Sequence, residues 1–226
     1  MLMKLYGTRD RTNKALGVTE PKEVGEKMVA LMKPDVGAIM RAPWKGIGLA
    51  LDGMSMAPRK TSRGACQQVV MEELDVTVLP IPKTWPEDGG RFMTLPLVVT
   101  ADPSSGEHNM GMYRSQVFGP REVGLHWQAH KHGADHADAT TGRMPVAICL
   151  GGPPELTFSA IAPLPDNLSE YEFAGLLSGR RLPIVKCKTN DLWVPADCDI
   201  VIEGYTVPGA VSYTHLRAHE TLRYRG

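Results

Sequence analysis

Five of the seven histidines fall between His108 and His136, in HNMGMYRSQVFGPREVGLHWQAHKHGADH, beside Asn109 and Arg114. Asn109, His130 and the more distant Glu170 offer an amide oxygen, an imidazole nitrogen and a carboxylate. That mixture suits Mg²⁺ or Mn²⁺ better than a structural zinc site, which calls for thiolates and tetrahedral closure. The competing reading is that these loop histidines are solvated or bonded to backbone. His126, His130 and His132 also lack the HExxH pattern of a helical zinc protease. Arg114 falls mid-strand among apolar neighbours, where an unpaired guanidinium is costly, so it needs an anionic partner. That partner is either a structural Asp or Glu or a substrate carboxylate held bidentately.

Trp127 reads either as a core aromatic or as a wall for a stacked flavin. Gly151, Gly152, Pro153 and Pro154 form a rigid turn, but no GxGxxG or Walker-type phosphate loop is present, so an ordinary dinucleotide or nucleoside triphosphate site is unsupported.

The elements that must carry these residues are mostly strands. Alternation of Met110, Met112, Arg114, Gln116 and Phe118 predicts a strand that puts Arg114 on one face. Further strands are expected at 75–82, 92–100, 109–119, 145–152, 182–189 and 199–207, with a turn at Pro86, Asp88, Gly89 and Gly90. Ser169 is expected to cap a helix from Glu170 to Ser178, with Tyr171, Ala174 and Leu177 inward and Gly179 ending it. Thr19 is a cap for a helix from Pro21 to about Met32, stopped by Pro34. The opening MLMKLYGTRDRTNKALGV shows no capped start, Gly46 to Lys60 reads as a loop, linker or surface lid, and a short helix is expected from Ser62 to Glu73. Strands outnumber helices at irregular spacing, which predicts an α+β chain, a mixed sheet or barrel with flanking helices. There is no internal repeat.

A chain of 226 residues buries roughly 70% of its unfolded surface, so it needs no covalent staples. Lys plus Arg and Asp plus Glu each number 25, which gives no sign of a nucleic-acid partner or an anionic membrane and favours a small-molecule site. Cys66, Cys149, Cys187 and Cys198 are widely spaced with no CxxC pair and read as inert, reduced thiols of a cytoplasmic protein. No apolar run reaches the roughly 20 residues needed to cross a bilayer.

After Gly209 the texture changes. AVSYTHLRAHETLRYRG has no periodic apolar face and reads as a solvated basic tail. SYTHLRAHET also resembles a read-through peptide found at the ends of open reading frames in draft assemblies, which implies that the natural chain continues in another frame.

Four runs carry a resemblance to a known family: NMGMYR (109–114), HWQAHKHG (126–133), APLPDNLSEYEFAGLL (162–177) and VKCKTNDLWVPADCDIVIEGY (185–205). In this order and spacing they resemble the UbiD family of prenylated-flavin decarboxylases, over residues 1 to about 209. The resemblance implies a split β-barrel of flavin-reductase type at 91–209, a remnant of an N-terminal α/β domain at 1–90, and a non-native-looking tail at 210–226. It implies that Asn109, His130 and Glu170 ligate Mn²⁺ (or Mg²⁺) at the phosphate of prenylated FMN, with K⁺ nearby. Met112, Tyr113 and Arg114 match the strand along the flavin, and Arg114 matches the arginine that engages the substrate carboxylate. His126, Trp127, Gln128, Lys131 and His132 fall in the flavin-contacting loop, where Lys131 and His132 depart from the Arg-Gly of the hydroxybenzoate branch.

The implied activity is non-oxidative decarboxylation of an aromatic, hydroxybenzoate-like or α,β-unsaturated acid, in ubiquinone or menaquinone biosynthesis. The implied partners are a flavin prenyltransferase as cofactor supplier and, at full length, further copies of the chain. Glu203, Gly204 and Tyr205 are present, but the EGPxG segment that brings the family's proton donor is not. The chain is therefore expected to be an internal fragment and a poor catalyst. An FMN-dependent reductase on the same barrel, or a non-catalytic flavin-binding or assembly module, are the alternatives. His108 and His136 are expected at the surface.

Overall fold

The computed structural model describes residues 6–32, 43–127, 132–165 and 168–207. The first helix, α1 (Arg9–Leu16), is capped at both ends, contrary to the sequence expectation: the Thr8 side chain accepts from the Arg11 N–H, and Gly17 closes the helix in the left-handed conformation. Next comes α2 (Lys22–Met32), and Thr19 is not its cap. Instead the Glu23 carboxylate folds back to accept from the Glu20 N–H at 2.9 Å.

The stretch expected as a loop or lid is the helix α3 (Pro43–Met56). Its glycines lower helix propensity, but packing overrides propensity. It lies against the later helix α6 (Glu170–Ser178) so closely that a Cβ on Gly175 would sit 2.2 Å from the Ser55 carbonyl oxygen. The helix expected from Ser62 to Glu73 shrinks to one 3-10 turn, Ala65–Gln67. The Cys66 N–H donates to the Ala196 carbonyl and the Gln67 side chain to the Lys186 carbonyl, so the segment is tied to a neighbouring sheet. The strand expected at 75–82 is also absent. A 3-10 turn at Val76–Val78 is capped by Asp75, and the Arg91 guanidinium takes the carbonyls of Thr77, Leu79 and Ile81 that a strand would have given to a neighbour.

Among the described residues ten strands form three sheets. In the first, β1 (Arg59–Thr61) runs parallel to β8 (Pro183–Lys186), which pairs antiparallel with β9 (Trp193–Pro195). The second, in order β10-β7-β3-β4, is antiparallel and comprises β3 (Leu97–Ala101), β4 (His108–Met112), β7 (Pro145–Leu150) and β10 (Ile200–Tyr205). The third, β2-β5-β6, joins β2 (Arg91–Met93), β5 (Ser115–Gly119) and β6 (Glu122–Leu125). Of two short helices, α4 (His132–Ala139) packs on β3 and β4 of the second sheet, and α5 (Pro154–Ser159) packs on α6 and α1. The expected strand at 109–119 is thus two strands in two sheets, and Tyr113 and Arg114 form the crossing between them. The α+β class is observed. Among the described residues the strands lie in three separate sheets, with no closed barrel.

Strand β3 explains how the layers hold together. Leu97, Val98 and Val99 are each almost fully buried, so both faces of the strand are covered and its sequence is a continuous apolar run. Leu97 and Val99 join one core with Met110, Cys149, Tyr171, Ile184 and Val194, which binds the second sheet to the first sheet and α6. Val98 joins Val117, Val146, Ile148 and Ile202, which binds the second sheet to the third. A third cluster of Leu16, Val24, Phe173 and Leu176 gathers the helices. Among the described residues no helix is long and apolar enough to cross a membrane.

Candidate functional site

The face of β4 that carries Asn109 and Gly111 is set by alternation, since Met110 between them is wholly buried in the first core. Thr100 of β3 stands opposite Asn109 in the ladder. Gly111 has a steric reason to be glycine: a Cβ there would lie 2.4 Å from the Tyr113 ring, which folds back over it.

Glu170 reaches this strand from α6. Ser169 caps that helix in a reciprocal box, accepting from the Glu172 N–H while the Glu172 carboxylate accepts from the Ser169 N–H, and Gly179 ends it with φ at 65°. This holds Glu170 so that its Oε2 accepts from the Met110 N–H at 3.1 Å. The carboxylate is thereby tied to the residue that follows Asn109.

Asn109, Met112, Tyr113, Glu170, Lys60 and Trp193 line one cleft of about 930 Å³. The Lys60 ammonium sits 4.6 Å from the Trp193 ring centroid. His108 and His136 line the same cleft, which corrects their expected surface position. His136 is buried, with Nδ1 2.9 Å from Thr100 Oγ1, and His108 Nε2 accepts from the Trp193 N–H at 3.0 Å. No sequence spacing marked either one, because both are brought inward by pairing partners 36 and 85 residues away. Burial holds the His108 imidazole below its ordinary pKa, in agreement with an acceptor nitrogen.

Arg114 is not part of the cleft lining. Its Nη2 lies 3.4 Å from Asp88 Oδ2 and its guanidinium carbon 3.9 Å from the Phe92 ring centroid, with 37% of the side chain exposed. Of the two partners open to it on sequence grounds, the structural carboxylate is the one present in this chain. Trp127 packs edge-to-face on Tyr113, with ring centroids 5.0 Å apart, and joins the second core. The His126 N–H donates to the Arg114 carbonyl. Gln128, His130 and Lys131 lie outside the described residues, as does the side chain of His132.

Two oxygen-bearing side chains, Asn109 and Glu170, therefore both line the cleft, with Glu170 bonded to the backbone next to Asn109. Among the described residues no three His, Cys, Asp or Glu side chains converge on a metal position. Asn109 is 7% exposed and its buried side-chain Nδ2 has no hydrogen-bond partner. A buried amide with an orphaned end beside a carboxylate fits a hard divalent cation, because turning the amide over presents its oxygen at that orphaned place. Cys149, Cys187 and Cys198 are buried and all four thiols are free, as expected of inert cysteines. Burial and the neighbouring Cys198 push Cys66 up to about 11.

Comparison with known proteins gives the site a context. The model of UbiD, the 3-octaprenyl-4-hydroxybenzoate carboxy-lyase Rift-related domain, matches residues 58–217. A protein of Archaeoglobus fulgidus is 44% identical over 209 residues, which is 91% of this chain and 43% of that protein. The UbiD-class enzyme HmfF from Pelotomaculum thermopropionicum, solved with FMN, superposes with a TM-score of 0.74 at 26% identity, covering 90% of this chain and 42% of that one. An evolved dimeric form of HmfF, in complex with prFMN, matches at 27% identity with a TM-score of 0.73 over 90% of this chain and 44% of that one. The closed form of vanillic acid decarboxylase from Sedimentibacter hydroxybenzoicus matches at 27% identity with a TM-score of 0.75 over 91% of this chain and 43% of that one. The chain thus spans less than half the length of each of these relatives.

Proposed function

The chain belongs to the UbiD family, and from that premise we propose that it forms the flavin- and metal-binding wall of a decarboxylase acting on an aromatic or α,β-unsaturated carboxylic acid. The observation that carries this reading is the junction of β4 and α6, where the Glu170 carboxylate bonds the N–H of Met110, the residue after Asn109 with its orphaned amide, in the lining of a large cleft.

In this reading Asn109 and Glu170 hold Mn²⁺ or Mg²⁺ with His130, and K⁺ binds nearby. Met112 and Tyr113, which line the cleft, would hold prenylated FMN there. When bound, the modified flavin supplies the electron sink for the carbanion that loss of CO₂ leaves behind. The protein residues supply position and charge. Arg114 orients the substrate carboxylate, and Asp88 is the anion that keeps the guanidinium paired in its absence. The second and third sheets, joined through the Val98, Val117 and Val146 core, are the two halves of the family's split barrel. The full-length protein assembles as a homo-oligomer in the cytoplasm, takes its cofactor from a flavin prenyltransferase, and serves quinone biosynthesis.

The protonation step needs an acid at the vacated carbon. Measuring CO₂ release from a hydroxybenzoate by the purified chain with prenylated FMN and Mn²⁺ tests the reading: release above the flavin-only background supports it, and flavin binding with no release contradicts it.

One observation favours a second reading. Arg114 is paired with Asp88 and stands outside the cleft lining, as it would in a flavin-binding or assembly module without catalysis. Arg114→Ala separates the two: a decarboxylase loses turnover, whereas a binding module keeps its flavin affinity and loses nothing else.

A further inference from the structure

The three helices that open the chain differ in what they show to solvent. On α1 the exposed residues include Arg9, Asp10, Arg11 and Lys14, with Lys14 paired to Asp10 at 3.1 Å and Arg9 paired to Glu20. On α2, Lys22 and Glu26 stand outward as an i, i+4 pair. This is the ordinary division of a surface helix, apolar toward the core and charged toward water.

Helix α3 departs from it. Its inner side is fixed by Ser55, buried against Gly175 of α6, and by Met56, which joins the helical core with Phe173 and Leu176. Its outer side, from Gly46 onward, exposes Ile47, Gly48, Ala50, Leu51 and Met54 and no charged or polar residue. Ile47, Leu51 and Met54 follow i, i+4, i+7 spacing and so form one stripe, and they are 63%, 61% and 67% exposed. A lone exposed leucine needs no explanation, but a helix that is apolar on both sides belongs between two layers of protein. Gly48 adds a steric argument. A Cβ there meets nothing within 4 Å, so no neighbour among the described residues accounts for a residue that weakens the helix, and bare backbone at this place suits close approach by another segment.

Length indicates what covers the stripe. The Archaeoglobus fulgidus relative matches 91% of this chain but only 43% of its own length, and HmfF matches 90% and 42%. More than half of each polypeptide therefore lies outside the part that this chain resembles. Helix α3 stands at the edge of the matched family domain, which begins at residue 58.

We propose that the stripe of Ile47, Leu51 and Met54 is an intramolecular docking face, covered in a full-length UbiD protein by polypeptide outside the region that this chain matches. The occupant is apolar, because the stripe offers it no charge, and its backbone comes closest at Gly48. The inference draws on family membership and on the helix alone, so it stands or falls separately from the flavin and metal reading.

Cysteine labelling tests it. Leu51→Cys in this chain, and a cysteine at the aligned position of the full-length Archaeoglobus fulgidus protein, are treated with a maleimide in the folded state and in urea, and the modified peptide is followed by mass spectrometry. The ratio of the two rates reports coverage at that residue, whatever the other thiols do. In this chain the folded rate should stay within about threefold of the unfolded rate, and in the relative it should drop at least about tenfold. Ile47→Cys, one turn earlier, repeats the measurement should the first variant not fold. Fast labelling in both folded proteins would overturn the proposal, because the face would then be open even at full length. Slow labelling in this chain, or protection in the relative that disappears when it is diluted to a monomer, would also overturn it, because the cover would then lie within this chain or come from a second copy.

Discussion

Arg114 and Asp88 form an ion pair at 3.4 Å over the Phe92 ring, with the Arg114 side chain 37% exposed. An ion pair of this exposure is worth only about 0.2–1 kcal/mol, so a bound carboxylate can displace Asp88. Asp88→Asn is expected to tighten binding of a benzoate-type acid roughly two- to fivefold, and Arg114→Ala to abolish it. Calorimetric titration with flavin and Mn²⁺ present measures both. Equal affinity in all three proteins would mean that Arg114 is purely structural.

The reciprocal cap at Ser169 places Glu170, so its loss should act at a distance from the helix end. Ser169→Ala is expected to lower unfolding free energy by about 1 kcal/mol, and to speed amide exchange at Met110, whose N–H is held by Glu170. Urea unfolding and exchange mass spectrometry read these two effects separately.

Close approach of α3 and α6 makes Gly175 intolerant of a side chain. A Cβ there meets the Ser55 carbonyl at 2.2 Å, whereas at Gly25 of α2 it meets nothing within 4 Å. Gly175→Ala should destabilise by about 1–3 kcal/mol, and Gly25→Ala should stabilise by roughly 0.5–1 kcal/mol. Chemical denaturation of the two variants side by side should give opposite signs.

Thiol chemistry offers a pH test. Burial and Cys198 raise the Cys66 pKa to about 11, so at pH 8 its thiolate is on the order of one part in a thousand. The folded protein should react slowly with a thiol reagent at pH 8 and faster as pH rises, while the unfolded chain shows all four thiols at once. The sign for stability follows: a raised thiol pKa contributes fully below the ordinary value of 9.0 and is lost as pH climbs toward about 11. A fast-reacting thiol at pH 8 in the folded state would contradict the placement of Cys66.

Where local signals and tertiary demands agreed, the sequence sufficed. The helix at Glu170–Ser178 carries its own cap, capping box and terminal glycine, and it forms at the expected residues. The strands at Pro145–Leu150 and Ile200–Tyr205 likewise follow their β-branched runs. The misreadings lie where a distant partner decides. DVTVLPIP has strand composition, but Arg91 captures its carbonyls. PWKGIGLALDGMSM looks like a loop by its glycines, but α6 supplies the surface that makes it a helix. Asn109 and Glu170, singled out by residue type and by resemblance to a family, line one cleft. The place of His108 and His136 in the same cleft was not legible, because the contacts that bring them inward exist only in three dimensions.

The central claim is that Asn109 and Glu170 bind a divalent cation that in turn holds a flavin in this cleft. Fluorescence titration of the purified chain with prenylated FMN, with and without Mn²⁺, tests it most directly, in the unaltered protein and in Asn109→Ala and Glu170→Gln. Mn²⁺ should tighten flavin binding at least about tenfold in the unaltered protein, and the effect should vanish in both variants while their urea midpoints stay close to the original. Flavin binding that ignores Mn²⁺, or that keeps its Mn²⁺ dependence in both variants, would contradict the account.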